Sequence, residues 1–494
     1  MTAAVQQADL ATYELFVDGR WTPAVDGRTS ERTSPADGRL VGRYARAGVE
    51  DVDLAVAAAR RVFDETGWPT LAAPKRAEIL RRVADLLRER VDVLGRRITL
   101  ELGKPIQIAR TEVLLTADVF EYYAALALDL RGEAISQHAP NALGLILREP
   151  VGVVAMITPW NFPMLLLSWK VAPAIAAGCT MVAKPASLTP GSALDLATVL
   201  HDAGVPDGVY NVVTGGGGDV GNALAEHPGV DKVAFTGSTE VGRQVMTAAS
   251  SNMKKISLEL GGKSPNIVYA DANIDQAVKG AYWGIFLNTG QACQAGSRLL
   301  VQRAAHDEFV EKLQAMTAQS KVGDPLDEKT MIGPLVDEGQ LKTVLAYVQQ
   351  GVEQGARLLC GGSRLEGNLS EGYFVEPTLF DDVRNDMAIG REEIFGPVLS
   401  ITAFDTVDDA VRLANDSEYG LAAGVWSSNI DVAMATAKRI RAGTVWVNAY
   451  YDAGLPFVMP MGGYKSSGIG RELGREGLEQ YFETKGIHVR LGRP

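Results

Sequence analysis

From Val151 to Glu259 the chain repeats one unit: a short unbroken apolar run, a helical pattern, then another apolar run. The runs are Val151–Ile157, Thr180–Lys184, Val209–Val213, Lys232–Thr236 and Lys255–Glu259. Helices are predicted between them over Trp169–Ala177, Ser192–Ala203, Val220–Glu226 and Thr239–Ala249. Strands without polar alternation are buried on both faces, so the pattern demands a parallel sheet covered by helices on each side. Such sheets bind ligands beyond the carboxyl ends of their strands. Pro159–Asn161, Lys184, Thr214–Gly218, Thr236–Ser238 and Glu259 all fall there.

A second α/β series starts at Pro265. It has strand Asn266–Tyr269, helix Ile274–Leu287, strand Leu299–Gln302 and helix His306–Ala318. Strands Phe374–Leu379, Val398–Phe404 and Gly443–Val447 follow, with a helix over Val407–Ala414. Upstream, a strand over Glu14–Val17 turns at Asp18-Gly19, and a helix covers about Glu50–Glu65. A longer helix begins at Pro74, a favoured first-turn residue, with apolar positions from Leu80 to Ile98 at spacings of three and four. Thr111–Leu130 reads as a further helix, and 131–150 as a hairpin or arm.

A chain of 494 residues exceeds one core, so two or more domains are expected. A net charge of −12 argues against nucleic acid, whose phosphates require a basic surface. No apolar run reaches the roughly 18 residues of a membrane helix, and the N-terminus carries no signal-peptide pattern, so a cytoplasmic protein is expected. The five histidines are scattered, none pairs at i, i+4 or joins a cysteine cluster, and no metal site is expected.

Three cysteines make no disulfide framework. Cys179 lies in an Ala/Gly-rich apolar stretch and Cys360 ends another, and both read as packing. Cys293 differs, because it sits in a run of Gly, Asn, Gln, Thr and Ala between a helix and a strand. Glycines there allow close approach of a ligand to a thiol on a turn. Phe235–Gly242 follows a strand and opens a helix, so its N–H groups and Ser238 can meet a pyrophosphate. Its glycines, Gly237 and Gly242, do not form the dinucleotide fingerprint, and an ordinary strand–turn–helix explains it equally well. Lys184 ends a strand and reaches either ribose hydroxyls or solvent. Glu259 stands in an apolar strand beside a double glycine, as a general base with a raised pKa would, or alternates outward. Asn161, between two prolines and two aromatics, is an oxyanion donor or a helix cap.

Taken together, the stretches Pro159–Pro163, Lys184-Pro185, Phe235–Ser238, Leu258–Lys263, Gly290–Cys293, Glu392–Pro397 and Gly462–Gly468 closely resemble the aldehyde dehydrogenase superfamily, in its order and spacing, over essentially the whole chain. The resemblance implies an α/β fold of two doubly wound domains plus a small β oligomerisation arm. Residues 1–126 and 150–260 would form the NAD(P)-binding domain and 261–462 the catalytic domain. Residues 127–149 and 463–494 would form the arm and C-terminal tail of a homodimer or homotetramer. It implies oxidation of a small-molecule aldehyde to the carboxylic acid. Cys293 is then the nucleophile, Glu259 the base, and Asn161 with the Cys293 N–H the oxyanion hole, while Lys170 and Glu472 match proton-relay positions. Cofactor positions fall on Ile157, Thr158, Pro159, Trp160, Lys184, Ser187, Gly217, Phe235, Gly237, Ser238, Leu260, Glu393 and Phe395. Tunnel positions fall on Met164, Leu166, Trp169, Leu287, Gln294 and the segment Tyr450–Met459 with Phe457.

Two departures carry expectations. Many NAD-preferring members have a glutamate where this chain has Ser187, and a carboxylate there repels a 2′-phosphate. NADP is therefore expected alongside or ahead of NAD. Members resembling succinic semialdehyde dehydrogenase carry an arginine at the position of Leu287, so a medium-chain or aromatic aldehyde is expected in place of a carboxylated one. A cysteine hydrolase would want a histidine partner, and none of the five has a motif setting. A fold that binds without turnover would have lost Cys293 or Glu259, and both are present.

Overall fold

Five of the expected runs lie side by side at the centre of an eight-stranded sheet in the computed structural model, which describes residues 10–451 and 457–492. The strand order is Gly468–Ile469, Lys255–Glu259, Lys232–Thr236, Val153–Ile157, Thr180–Lys184, Tyr210–Val212, Leu15–Val17, Arg20–Thr22. The central five are parallel, and each of the outer three pairs antiparallel with its inner neighbour. Alternate side chains serve two cores. Val153, Ala155 and Ile157 face one with Val233 and Phe235, while Val154 and Met156 face the other with Met181 and Ala183. Both faces are apolar, so helices cover both.

The chain moves outward from Val153–Ile157 through Thr180–Lys184 to Tyr210–Val212, then returns to the other side of Val153–Ile157 with Lys232–Thr236. That reversal opens a crevice between the loops after Ile157 and Thr236, where ligands of open α/β sheets bind.

The second sheet has seven strands, ordered Arg357–Cys360, Thr378–Asp381, Val398–Phe404, Arg298–Gln302, Pro265–Val268, Ala422–Trp426, Thr444–Val447. All are parallel except the Arg357–Cys360 edge. Glu259 ends a strand of the first sheet and Pro265 begins one of the second. The carboxyl ends of the first therefore meet the amino ends of the second, and the Cys293 loop precedes Arg298–Gln302 at such an amino end. A three-stranded antiparallel sheet joins Phe482–Arg490, Ala142–Pro150 and Glu133–Ile135. Among the described residues no helix is long and apolar enough to cross a membrane.

Several expected elements differ. The helix expected to run from Pro74 through Ile98 is two, Ala73–Glu89 and Val91–Leu102, broken at Arg90 (φ −109°, ψ 15°). A break of one residue leaves the spacing of three and four intact, so periodicity passes over it. The helix expected from Trp169 starts at Pro163, and all 15 of its residues are buried, which erases the amphipathic signal. In place of helix Val220–Glu226 there is a π-turn, Gly217–Gly221, then a short helix, Asn222–Glu226. The strand expected over Phe374–Leu379 is Thr378–Asp381, and helix Thr111–Leu130 is Ile106–Ala127. Helices Glu338–Glu353 and Ile430–Arg439 and strand Ala422–Trp426 were not foreseen.

Candidate active site

Cys293 lies three residues beyond a tight turn, Leu287–Gly290, in which Asn288 and Thr289 adopt left-handed backbone (φ 51° and 59°). Such angles are uncommon outside glycine and mark functional turns more often than chance. The glycines of Glu259–Lys263 explain how this loop approaches the first sheet. A Cβ on Gly262 would overlap the Cys293 carbonyl, and one on Gly261 would overlap the Glu393 carboxylate. The Gly262 N–H donates to Glu393 Oε1 (3.0 Å).

The loop after Ile157 closes the other side. Asn161 is buried, and its Nδ2 donates to the Gln291 carbonyl (3.1 Å), two residues before Cys293. Asn288 Nδ2 donates to both the Asn161 and Gln291 carbonyls (3.0 Å each). Phe162 packs against the cores of both sheets.

Glu259 is buried, and neither carboxylate oxygen has a hydrogen-bond partner. A Cβ on Gly462 would crowd its Oε1 (2.7 Å). Burial first, then Glu472, holds its carboxyl well above the ordinary range, against the pull of Lys170 and Arg471. This is the environment of a general base. Lys170 Nζ donates to Thr236 Oγ1 (2.6 Å) and to Glu472. Glu472 is pinned by paired backbone hydrogen bonds with Met461 (2.7 Å each). Lys170 and Glu472 thus form one buried group behind Glu259. Burial, then Glu393 and Glu259, pushes the Cys293 thiol up to about 12, and the N–H groups of Gln294 and Cys293 oppose the rise. The resting thiol is therefore protonated and needs a base.

The expected cofactor residues fall at the carboxyl ends of strands of the first sheet, where Glu393 and Phe395 meet Gly262 and Trp160. Ile157 and Thr158 are buried and Pro159 half-buried. Trp160 meets Phe395 edge to face, centroids 5.2 Å apart. Phe395 has left-handed backbone (φ 57°), held by Gln340 Nε2, which donates to the Ile394 and Phe395 carbonyls (2.9 Å each). Lys184 is buried, its Nζ donates to the Pro185 carbonyl (2.9 Å), and burial lowers its pKa to about 8. Burial raises Glu393 to about 7. The exposed Ser187 hydroxyl donates to the Gly215 carbonyl (2.9 Å). Ser238 caps helix Thr239–Ala249 by accepting from the Val241 N–H (3.3 Å). Gly217 opens the π-turn with free space where a Cβ would stand. Phe235 and Leu260 are buried, and side chains on Gly237 and Gly242 would strike them. These residues fit a dinucleotide: a buried cation, a carboxylate with one oxygen engaged, and unfilled space at the turn.

Met164, Leu166 and Trp169 are buried on helix Pro163–Ala177, Phe457 belongs to the same core, and Cys293 packs against that core. Leu287 and Gln294 are half-buried, and Tyr450 Oη donates to the Gln294 carbonyl (2.7 Å). The part of the expected tunnel over 452–456 lies outside the described residues. Among the described residues no three His, Cys, Asp or Glu side chains gather as metal ligands.

Sequence reasoning missed Lys104, Glu112, Asn288 and Gln291, which hold the Asn161 and Cys293 loops. Asn288, as the Asn of a Gly-containing turn, was the one available signal.

The aldehyde dehydrogenase family model matches residues 21–487. An NAD-dependent aldehyde dehydrogenase from Sinorhizobium meliloti superposes with TM-score 0.97 at 46% identity, covering 100% of this chain and 98% of that one. Aldehyde dehydrogenase family 2 member C4 of Arabidopsis thaliana is 44% identical over 99% of this chain and 97% of its own length. A mitochondrial benzaldehyde dehydrogenase of Antirrhinum majus is 44% identical over 97% and 89% respectively.

Proposed function

The chain belongs to the aldehyde dehydrogenase family, oxidoreductases acting on aldehydes, and from that premise we propose that it oxidises a medium-chain aliphatic or aromatic aldehyde to the carboxylic acid with NAD or NADP. The observation that carries the reading is the meeting of Cys293, Asn161 and Glu259 where the two sheets join, with Asn161 Nδ2 on the Gln291 carbonyl and a double glycine against Cys293.

Glu259 takes the Cys293 proton, directly or through water, and the thiolate adds to the aldehyde carbon. The oxyanion of the resulting thiohemiacetal is held by the Asn161 amide and the Cys293 N–H. Loss of one such donor costs about 10²–10³ in turnover. A bound nicotinamide would supply the acceptor for the hydride that leaves this carbon. Lys170 and Glu472 carry the Cys293 proton away from Glu259, which regenerates the carboxylate. Glu259 then draws a proton from water for attack on the Cys293 thioester, and returns it to the thiolate that leaves as the acid is released. Lys184 and Glu393 would hold the two riboses, Ser238 and Trp160 would meet the pyrophosphate, and Phe395 would flank the nicotinamide. The S. meliloti relative supports NAD, and Ser187, which places no carboxylate at the glycine turn, supports NADP as well. The apolar set Met164, Leu166, Trp169, Leu287 and Phe457 supports an apolar substrate, as does the benzaldehyde relative.

We take 1–126 and 150–260 as the NAD(P)-binding domain and 261–462 as the catalytic domain. Residues 127–149 and 463–494 serve as arm and tail, with Gly468–Ile469 returning to the edge of the first sheet. Among the described residues neither outer strand of the three-stranded sheet pairs further, which supports a homodimer or homotetramer, and we take the enzyme to be cytoplasmic. The test is the near-ultraviolet absorbance of reduced cofactor, with NAD and NADP, on aliphatic, aromatic and carboxylated aldehydes beside Cys293→Ala. Reduced cofactor from the wild type alone is expected. A variant as active as the wild type, or strong preference for a carboxylated aldehyde, overturns the mechanism or the substrate class.

A further inference from the structure

Lys104 and Glu112 form a fully buried ion pair. Lys104 follows the left-handed Gly103 (φ 79°), where a Cβ would strike Pro334 and Pro35, and Glu112 lies on helix Ile106–Ala127. Two charges taken wholly from water are costly, and well-packed apolar residues of similar volume stabilise a core equally well or better. Fold stability therefore gives little reason for this pair.

Its remaining contacts converge on one segment. Lys104 Nζ donates to the Asn161 carbonyl (2.8 Å) and lies 3.7 Å from the centre of the Phe162 ring. Glu112 Oε1 accepts the N–H groups of Met164 (3.0 Å) and Leu165 (3.2 Å), the first free donors of helix Pro163–Ala177. The pair thus grips Asn161–Leu165 from one side, while Asn288 grips the Asn161 carbonyl from the Cys293 side. Two donors on that carbonyl fix its peptide plane and hence the direction in which the Asn161 amide leaves the backbone.

We infer that Lys104 and Glu112 are positioning residues for the oxyanion donor, acting through the Asn161 carbonyl and the helix start. The inference rests on the role proposed above for Asn161. Without Lys104 the Asn161 carbonyl keeps only Asn288, and the peptide can rotate.

The test is a double-mutant cycle on the full-length enzyme. Lys104→Met with Glu112→Gln removes both charges together and leaves no uncompensated buried ion, and Glu112→Gln alone keeps both helix N–H acceptances. Each is measured with and without Asn161→Ala for kcat, KM and cofactor affinity by tryptophan quenching. In Lys104→Met with Glu112→Gln we expect kcat to fall at least about ten-fold, no further than about the 10²–10³ loss of an oxyanion donor, with cofactor affinity within about two-fold, and in Glu112→Gln alone, which keeps Lys104 on the Asn161 carbonyl, a smaller loss. We expect no further loss when Asn161→Ala is added, because groups acting through one another are non-additive. Losses that multiply with Asn161→Ala, or kcat within about two-fold of wild type in folded Lys104→Met with Glu112→Gln, overturn the inference. Failure of both variants to fold also overturns it, making the pair a folding element. An Asn161→Ala enzyme of full activity would instead refute the role proposed for Asn161 itself.

Discussion

Replacing Ser187 with glutamate should shift cofactor choice from NADP towards NAD. Ser187 is exposed and its hydroxyl bonds the Gly215 carbonyl, so a longer side chain here reaches out over the glycine turn without displacing core atoms. A 2′-phosphate carries about −1.5 to −2 charges at neutral pH. With a carboxylate about 6 Å away and an effective dielectric of about 60 for this wet site, repulsion is about 0.9 kcal/mol per pair of unit charges. The total is about 1.4 to 1.8 kcal/mol, or roughly 10- to 20-fold in the ratio of kcat/KM for NADP over NAD. The assay is initial-rate oxidation with each cofactor, at low salt and at about 0.5 M salt, where screening should erase much of the effect. A shift below about three-fold, or one indifferent to salt, refutes the electrostatic reasoning. A wild-type enzyme whose NADP efficiency is below about a thousandth of its NAD value refutes the reading of Ser187 altogether.

Three further outcomes are expected. Because burial pushes Cys293 up to about 12, iodoacetamide should modify the free enzyme slowly, at a rate still rising through pH 10, measured against Cys293→Ala as blank; a plateau below about pH 9 contradicts this. Burial raises Glu101 from 4.5 to about 7, so folding favours its protonated form. That stabilisation is intact below about pH 4.5 and is lost as pH rises through about 7, at a cost of about 3 kcal/mol. Glu101→Gln should therefore match the wild type in urea unfolding at pH 4.5 and exceed it at pH 8, and equal midpoints at pH 8 would count against it. Leu287→Arg should raise kcat/KM for a carboxylated aldehyde relative to an aliphatic one of equal length by about ten-fold, and an unchanged ratio would rule out Leu287 as a tunnel residue.

The legibility of the chain varied with burial. Helix Thr239–Ala249 was readable to the residue because it has one wet face and a Ser238 cap. Helix Pro163–Ala177 was read six residues late because every residue is buried and no face contrasts with another. Strands Thr180–Lys184, Lys232–Thr236 and Lys255–Glu259 lay where expected, since short apolar runs between turn residues admit few alternatives. Lys104 and Glu112 gave no signal at all, because an ion pair eight residues apart across a Gly-Lys-Pro turn looks like two solvated charges until the helix is placed.

The sequence by itself determined the architecture and the chemical groups: alternating apolar runs compel a doubly covered parallel sheet, and a cysteine, a glutamate and an asparagine stand at ends of elements. Periodicity and spacing are local, and so they survive in one dimension. Only the tertiary structure decided that the carboxyl ends of the first sheet oppose the amino ends of the second, which brings Asn161 onto the Gln291 carbonyl from 130 residues away. Only it decided the protonation landscape, because the raised Cys293, Glu259 and Glu393 follow from water excluded by residues distant in the chain. Desolvation is a property of what surrounds a group on all sides, and no stretch of sequence carries it.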